Sequence, residues 1–189
     1  MSAETIPVDI TGERIPGPRH ACAFFDGSEE EYRVLLPFAK SCLRCGDRCF
    51  QFLDPRRKVE RTRRLEEAGM TVSLAPGGID LRGWDETYLR GGRFVADEML
   101  GLMREIVSGS SRARVWANMG WAFRDTPMAE ALVDYEFRLN ALVESSGAII
   151  VCVYEAGRYS SDVALGVLRV HPWIVVDGRL ERNPAYVPA

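Results

Sequence analysis

Apolar positions along the chain fall into short unbroken runs separated by stretches of helical spacing. Runs at 21–25, 49–53, 71–74, 114–119, 148–154 and 173–176 predict strands. The run 148–154, AIIVCVY, is apolar and β-branched almost throughout, the pattern of a central strand covered on both faces. Between the runs, Tyr32, Leu35, Leu36, Ala39 and Leu43 recur at helical spacing. So do Val95, Met99, Leu102, Met103 and Ile106, and then Leu132, Tyr135, Leu139, Leu142 and Val143. Strands alternating with such helices predict an α/β domain of three layers, with a mostly parallel sheet between two helical layers. Residues 56–69, RRKVERTRRLEEAG, read as a charged, solvated crossover helix that stops at Gly69. Asp177 and Gly178 predict a tight turn from 173–176 into a short strand around Leu180 and Glu181, giving a C-terminal antiparallel hairpin.

Two helix starts carry local signals. Ser28 and Glu31 have the spacing of a capping box, and Thr126 followed by Pro127 supplies a cap and a first-turn proline. Ahead of the first run, residues 1–19 contain Pro7, Gly12, Pro16, Gly17 and Pro18 and predict an extended or disordered leader. Residues 20–189 are then one domain, in keeping with a chain of 189 residues that is 47% hydrophobic.

Charge narrows the partners. A net charge of -3 and a pI near 5.5 give no basic field for nucleic acid, so no direct nucleic-acid partner is expected. No stretch approaches the roughly 18 apolar residues of a membrane span, and the N-terminus has no secretory pattern. A cytoplasmic protein without a membrane partner is the expectation.

Four segments together resemble a known family: HACAFFDGSEEEYRVLLPFAKSCLRCGDRCFQFLD, YEFRLNAL, VCVYE and VHPWIVVDGRLERNPAY. The chain resembles the MEDS family across roughly 20–186. This sensory domain is named for methanogen and methylotroph proteins and for the dichloromethane-responsive repressor, and it accompanies histidine kinases and transcription regulators. The resemblance implies a RecA/KaiC-like core without ATPase motifs. It also implies a small, largely apolar, hydrocarbon-like ligand and a signalling partner such as a histidine kinase or regulator. Cys42 and Cys45 stand where the family commonly has small residues. RecA-like domains often associate into homo-oligomers, although nothing in the sequence specifies an interface.

The chemistry at the first crossover turn agrees with a lost nucleotide site. A phosphate cradle needs glycine amides and a lysine, whereas Asp26, Glu29, Glu30 and Glu31 supply four carboxylates and no cation. Successive helical residues diverge, so these acids do not converge on Mg²⁺ or Ca²⁺ either. Cys42, Cys45 and Cys49 have a C-x2-C-x3-C spacing, but no histidine lies near them in sequence. Buried, reduced thiols are expected there, with a thiol redox switch or metal site as alternatives. With two histidines and no G-x-S-x-G, no catalytic residue, resident cofactor or metal ligand is assigned.

Parallel sheets bind ligands at the carboxyl ends of their strands. Phe25, Asp26, Asp54, Trp121, Tyr154 and Glu155 should gather there. Cys152 would form a pocket wall or pack in the core, and Glu136, on the apolar face of its helix, is either partly exposed or, if buried, needs a partner such as His171, Asn118 or a backbone amide. His171 at a helix end also has a plain structural reading, bonded to a nearby backbone carbonyl or carboxylate, and His20 reads as a cap on the first strand. Trp84 and Tyr88 lie in the glycine-rich stretch 75–93, either on a lid over the ligand or as pins holding that loop to the domain. The expected ligand-binding set is therefore Phe25, Asp26, Trp84, Tyr88, Trp121, Glu136, Cys152, Tyr154 and His171. A docking module with no small ligand remains the competing function.

Overall fold

A computed structural model describes residues 6–7, 19–109, 111–124 and 126–188. One sheet of eight strands runs through it: β1 (Ile6–Pro7), β2 (Arg19–Phe25), β3 (Arg48–Leu53), β4 (Ile79–Gly83), β5 (Ala113–Asn118), β6 (Ile149–Glu155), β7 (Trp173–Val176) and β8 (Arg179–Arg182). Their spatial order is β1-β8-β7-β2-β6-β5-β3-β4. Neighbours from β7 to β4 pair in parallel, while β7 with β8 and β8 with β1 are antiparallel. Asp177 and Gly178 turn the hairpin, both with positive φ (48° and 73°), as a tight two-residue turn requires.

The strands that read as unbroken apolar runs are those buried on both sides. In β6 every residue from Ile149 to Tyr154 is buried. Helices α1 (Ser28–Arg44) and α2 (Lys58–Glu67) cover one face, packing Leu35, Phe38, Ala39 and Leu65 against Ala21, Val151 and Trp116. On the other face lie α3 (Ala96–Val107), α4 (Thr126–Ser146) and α5 (Ser161–Val170), whose Met99, Leu102, Leu132, Leu139 and Val167 pack against Val115, Ile150 and Cys152. The architecture is three-layer α/β/α.

Several expectations change. The fourth strand is Ile79–Gly83, not 71–74, where only Val72 bridges to Ile79. Its sequence IDLRG hides the strand because Asp80 and Arg82 neutralise one another along the sheet edge, with Arg82 Nε 3.0 Å from Asp80 Oδ1. The stretch 75–93 is consequently part sheet, and Tyr88 is 3% exposed within it. Its aromatics Trp84 and Tyr88 are both buried against the domain, and Trp84 also lines the strand-end cleft.

No capping box forms at α1: Gly27 is the N-cap, and Glu31 turns its carboxylate inward. Cys42 and Cys49 are bonded to one another where the end of α1 meets the start of β3, with Cα atoms 6.0 Å apart, in place of the expected reduced thiols. Cys45 is exposed and free. Of the expected leader, residues 1–5 and 8–18 lie outside the described residues, and the side chain that would form the cap expected at Thr126 is not described either. No helix among the described residues is long and apolar enough to cross a membrane.

Candidate functional site

Helices following adjacent strands leave the sheet in opposite directions at β2 and β6. The chain after β2 enters α1 on one face, and the chain after β6 enters α5 on the other. A crevice opens at such a switch point, outside the carboxyl ends of the strands. Here it is a cleft of about 510 Å³, lined by Gly27 and Ser28 at the start of α1, Leu53 and Asp54 after β3, and Asn118 and Glu155 from β5 and β6. Trp84 and Gly120 complete the rim, with Arg56, Arg57, Arg61 and Arg158 supplying the charge.

The acidic turn does not fill this cleft with negative charge. Glu29 pairs outward with Arg64, and Glu30 Oε2 turns back to accept from the Asp26 amide at 2.8 Å. Glu31 is buried: Oε1 accepts from Trp116 Nε1 at 2.8 Å and Oε2 from Asn118 Nδ2 at 3.1 Å. Burial pushes the Glu31 carboxyl above its ordinary value, against the downward pull of Arg61 and these donors. Gly27 takes φ 91° and ψ 178°, a conformation open essentially to glycine alone, and nothing lies within 4 Å of where its Cβ would be. Gly27 and Ser28 at the head of α1 line the cleft.

Two of the four arginines are already engaged at the rim. Arg56 Nε binds both oxygens of Asp54, at 3.0 and 3.1 Å, and Arg158 pairs with Glu155 at 3.0 Å. Arg61 differs. It is 5% exposed, its guanidinium lies 4.7 Å from the Trp116 ring, and Nη2 stands 3.8 Å from Glu31. Its Nη1 is buried without a hydrogen-bond partner. Sequence reasoning placed Arg61 on a solvated face; its i,i+4 spacing to the buried Leu65 was the available signal.

Behind the cleft, on the α4 side of the sheet, a second constellation is wholly buried. His20 of β2, Cys152 of β6, Glu136 of α4 and His171 at the end of α5 are each 0% exposed. Glu136 Oε1 accepts from the Tyr154 hydroxyl at 2.9 Å. Its Oε2 faces His20 Nε2 at 3.1 Å, Cys152 Sγ at 3.6 Å and His171 Nε2 at 3.7 Å. Desolvation and the neighbouring His20 push His171 down to about 3, so its ring is neutral. Burial and the Glu136 charge push the Cys152 thiol up.

These placements divide the expected ligand-binding residues. Glu136, Cys152, Tyr154 and His171 come together, joined by His20, which sequence reasoning had read as a strand cap. Trp84 reaches the cleft, and its Nε1 donates to the Asn118 carbonyl at 2.8 Å. Trp121 and Tyr88 instead stack at 5.0 Å inside an apolar cluster with Phe94 and Tyr135. Phe25 is buried beside a more open hollow of about 670 Å³ with Val34 and Val175, and Asp26 is exposed. An aromatic pocket formed by Phe25, Trp121 and Tyr154 is therefore absent among the described residues, because all three rings are consumed by core packing.

Residues 19–172 match the sequence profile of the methanogen/methylotroph, DcmR sensory domain, MEDS. The chain belongs to the MEDS family. Membership makes it a sensory signalling domain by family. No curated protein matches the chain. Among solved structures, a KaiC-like protein from the hyperthermophilic archaeon Pyrococcus horikoshii OT3 is similar at 12% identity, with a TM-score of 0.56 over 91% of this chain and 79% of that one. At that identity the likeness bears on the fold alone, and it identifies the MEDS sheet as RecA/KaiC-like.

Proposed function

We propose that this MEDS domain is a non-enzymatic cytoplasmic sensor that takes a small ligand into the strand-end cleft and passes the change to a partner kinase or transcription regulator. The ligand carries an acid group on a compact apolar body. One observation carries this reading: the buried, unpartnered Nη1 of Arg61 in a cleft that also holds Arg57, whose guanidinium makes no ion pair among the described residues. A buried donor without an acceptor costs about 1–3 kcal/mol, and an incoming oxyanion would recover it. The N-terminus of α1, which borders the cleft at Gly27 and Ser28, favours the same charge.

Family resemblance implied a largely apolar ligand. Leu53 and the Trp84 ring offer apolar contact for its body, while the surrounding arginines, aspartate and glutamates make the lining predominantly polar and support an acid head. No lysine or glycine-rich loop stands ready for a triphosphate, which supports sensing over nucleotide hydrolysis. Ligand-driven change in the orientation of α1 and α2, both of which border the cleft, would alter the surface offered to a partner.

Thermal unfolding with short-chain carboxylates and phosphates, each beside its alcohol of the same skeleton, tests the reading. At 100-fold excess over Kd, an acid should raise Tm by about 5–10 °C, from ~2.7 kcal/mol of linkage. Arg57→Ala should abolish most of that rise. Equal stabilisation by the alcohols, or an unchanged rise in Arg57→Ala, would overturn it.

A further inference from the structure

We infer that His20, Glu136, Cys152 and His171 form a four-ligand site for a divalent transition-metal ion, best matched by zinc. This site is separate from the cleft and stands or falls without it. One ligand atom from each residue lies within 4.8 Å of the other three, and together they are a group of metal-ligating type among the described residues.

Hydrogen bonds fix which ring atoms face inward. Asn140 Nδ2 donates to the Val170 carbonyl at 2.7 Å, which orients the amide so that Oδ1 faces His20 Nδ1 at 3.0 Å. An acceptor there makes Nδ1 the protonated nitrogen of His20. His171 Nδ1 stands 2.8 Å from the Val167 carbonyl, which can only accept, so it too carries its proton on Nδ1. With Nδ1 of each ring turned to an acceptor, both Nε2 atoms face Glu136 Oε2, at 3.1 and 3.7 Å. Glu136 adds Oε2 to it, because Oε1 is occupied by Tyr154.

Without a cation this arrangement is poorly satisfied. Two imidazole Nε2 atoms, a thiol and a carboxylate oxygen converge in a fully buried site, and although Cys152 Sγ donates to Glu136 Oε2, His171 Nε2 is buried with no hydrogen-bond partner. The 3.1 Å contact of His20 with Glu136 leaves His171 Nε2 facing the same carboxylate from 3.7 Å without a hydrogen bond. A divalent ion satisfies all four ligands.

Four of the six ligand–ligand distances and the donor types agree, and every separation is within 4.8 Å. Bonds of about 2.0–2.3 Å in a tetrahedral shell place ligand atoms roughly 3.3–3.6 Å apart. His20 Nε2 to Glu136 Oε2 is 3.1 Å, His20 Nε2 to Cys152 Sγ 3.4 Å, Cys152 Sγ to Glu136 Oε2 3.6 Å, and His171 Nε2 to Glu136 Oε2 3.7 Å. Two imidazoles, one thiolate and one carboxylate suit zinc, with its tolerance of nitrogen, sulfur and oxygen together. Binding displaces the Cys152 thiol proton, and Asn140 and the Val167 carbonyl supply the outer bonds that hold such histidines. Four protein ligands and complete burial make the site closed, so the ion would enter during folding and clamp β2, β6, α4 and α5.

Cobalt(II) is the probe, used on the full chain with Cys45→Ser to remove the exposed thiol. Protein refolded with cobalt should hold one ion per chain after desalting, with tetrahedral ligand-field bands and a thiolate-to-cobalt charge-transfer band. Cys152→Ser should lose the charge-transfer band specifically. Asn140→Leu, which keeps all four ligands, should bind about 10–100-fold more weakly. Far-ultraviolet circular dichroism establishes that each variant is folded; should Asn140→Leu not fold, Glu136→Gln is read in its place for loss of stoichiometric cobalt. Folded protein that retains no cobalt, or a charge-transfer band that survives Cys152→Ser, would overturn the assignment.

Discussion

Trp116 Nε1 donates to Glu31 Oε1 over 2.8 Å, fastening β5 to the first turn of α1 through a buried carboxylate. Arg61 is the cation facing that carboxylate, stacked over the same tryptophan. Removing one member of a buried ion pair leaves the other uncompensated, at a cost of about 3 kcal/mol. Arg61→Met should therefore be destabilised by roughly that amount in urea unfolding at pH 7. Part of the loss depends on pH. Glu31 already lies above 4.5 through desolvation, and without Arg61 it rises further. A raised carboxyl stabilises the folded state below 4.5 and loses that contribution as pH climbs through its folded value. The deficit of Arg61→Met should thus be smallest near pH 4.5 and grow toward neutrality. A deficit of constant size would show that lost packing, not charge, is the cause.

Arg114 is a second buried arginine held by a carboxylate. It is 0% exposed on β5, with Nε 2.6 Å from Asp47 Oδ2 and Nη1 2.9 Å from Ser41 Oγ. Asp47 also binds Arg112 at 2.8 Å, so a single side chain joins the end of α1 to the start of β5. Asp47→Ala should cost about 3–5 kcal/mol in chemical denaturation. A cost below 1 kcal/mol would mean that Ser41 and neighbouring groups suffice to hold the guanidinium.

Tyr88 packs edge-on to Phe52 at 5.9 Å and Tyr135 at 6.1 Å and is stacked on Trp121. Truncation to alanine should cost about 3–5 kcal/mol, as for other large buried aromatics. Amide exchange of Thr87 and Leu89, whose amides bond the Trp84 carbonyl at 3.2 and 2.7 Å, should be slow in the parent and fast in Tyr88→Ala. Fast exchange in the parent would favour a mobile lid.

Much of this fold is legible in the sequence because a strand buried on both faces must be apolar at nearly every position, as in β2 and β6. The edge strand β4 escapes that test: Asp80 and Arg82 satisfy each other, so its composition resembles a loop. Among site residues, Glu136 reveals itself as a charge on an apolar helix face, and its need for a partner leads toward His171. His20 gives no such signal, since its role comes from the parallel register that sets Cys22 beside Cys152 and so brings His20 to the same sheet face. Aromatics at strand ends misled in the opposite direction. Trp121 and Tyr154 sit near the strand ends, but each turns into the core, where its apolar area is worth more than exposure at a pocket wall.

A crystal structure of the protein grown with a saturating short-chain monocarboxylate tests the central claim most directly. The account predicts density for the acid in the strand-end cleft, with a carboxylate oxygen within hydrogen-bond distance of Arg61 Nη1. An empty cleft, or the acid bound in the hollow beside Phe25 and Val175 with Arg61 untouched, would contradict it.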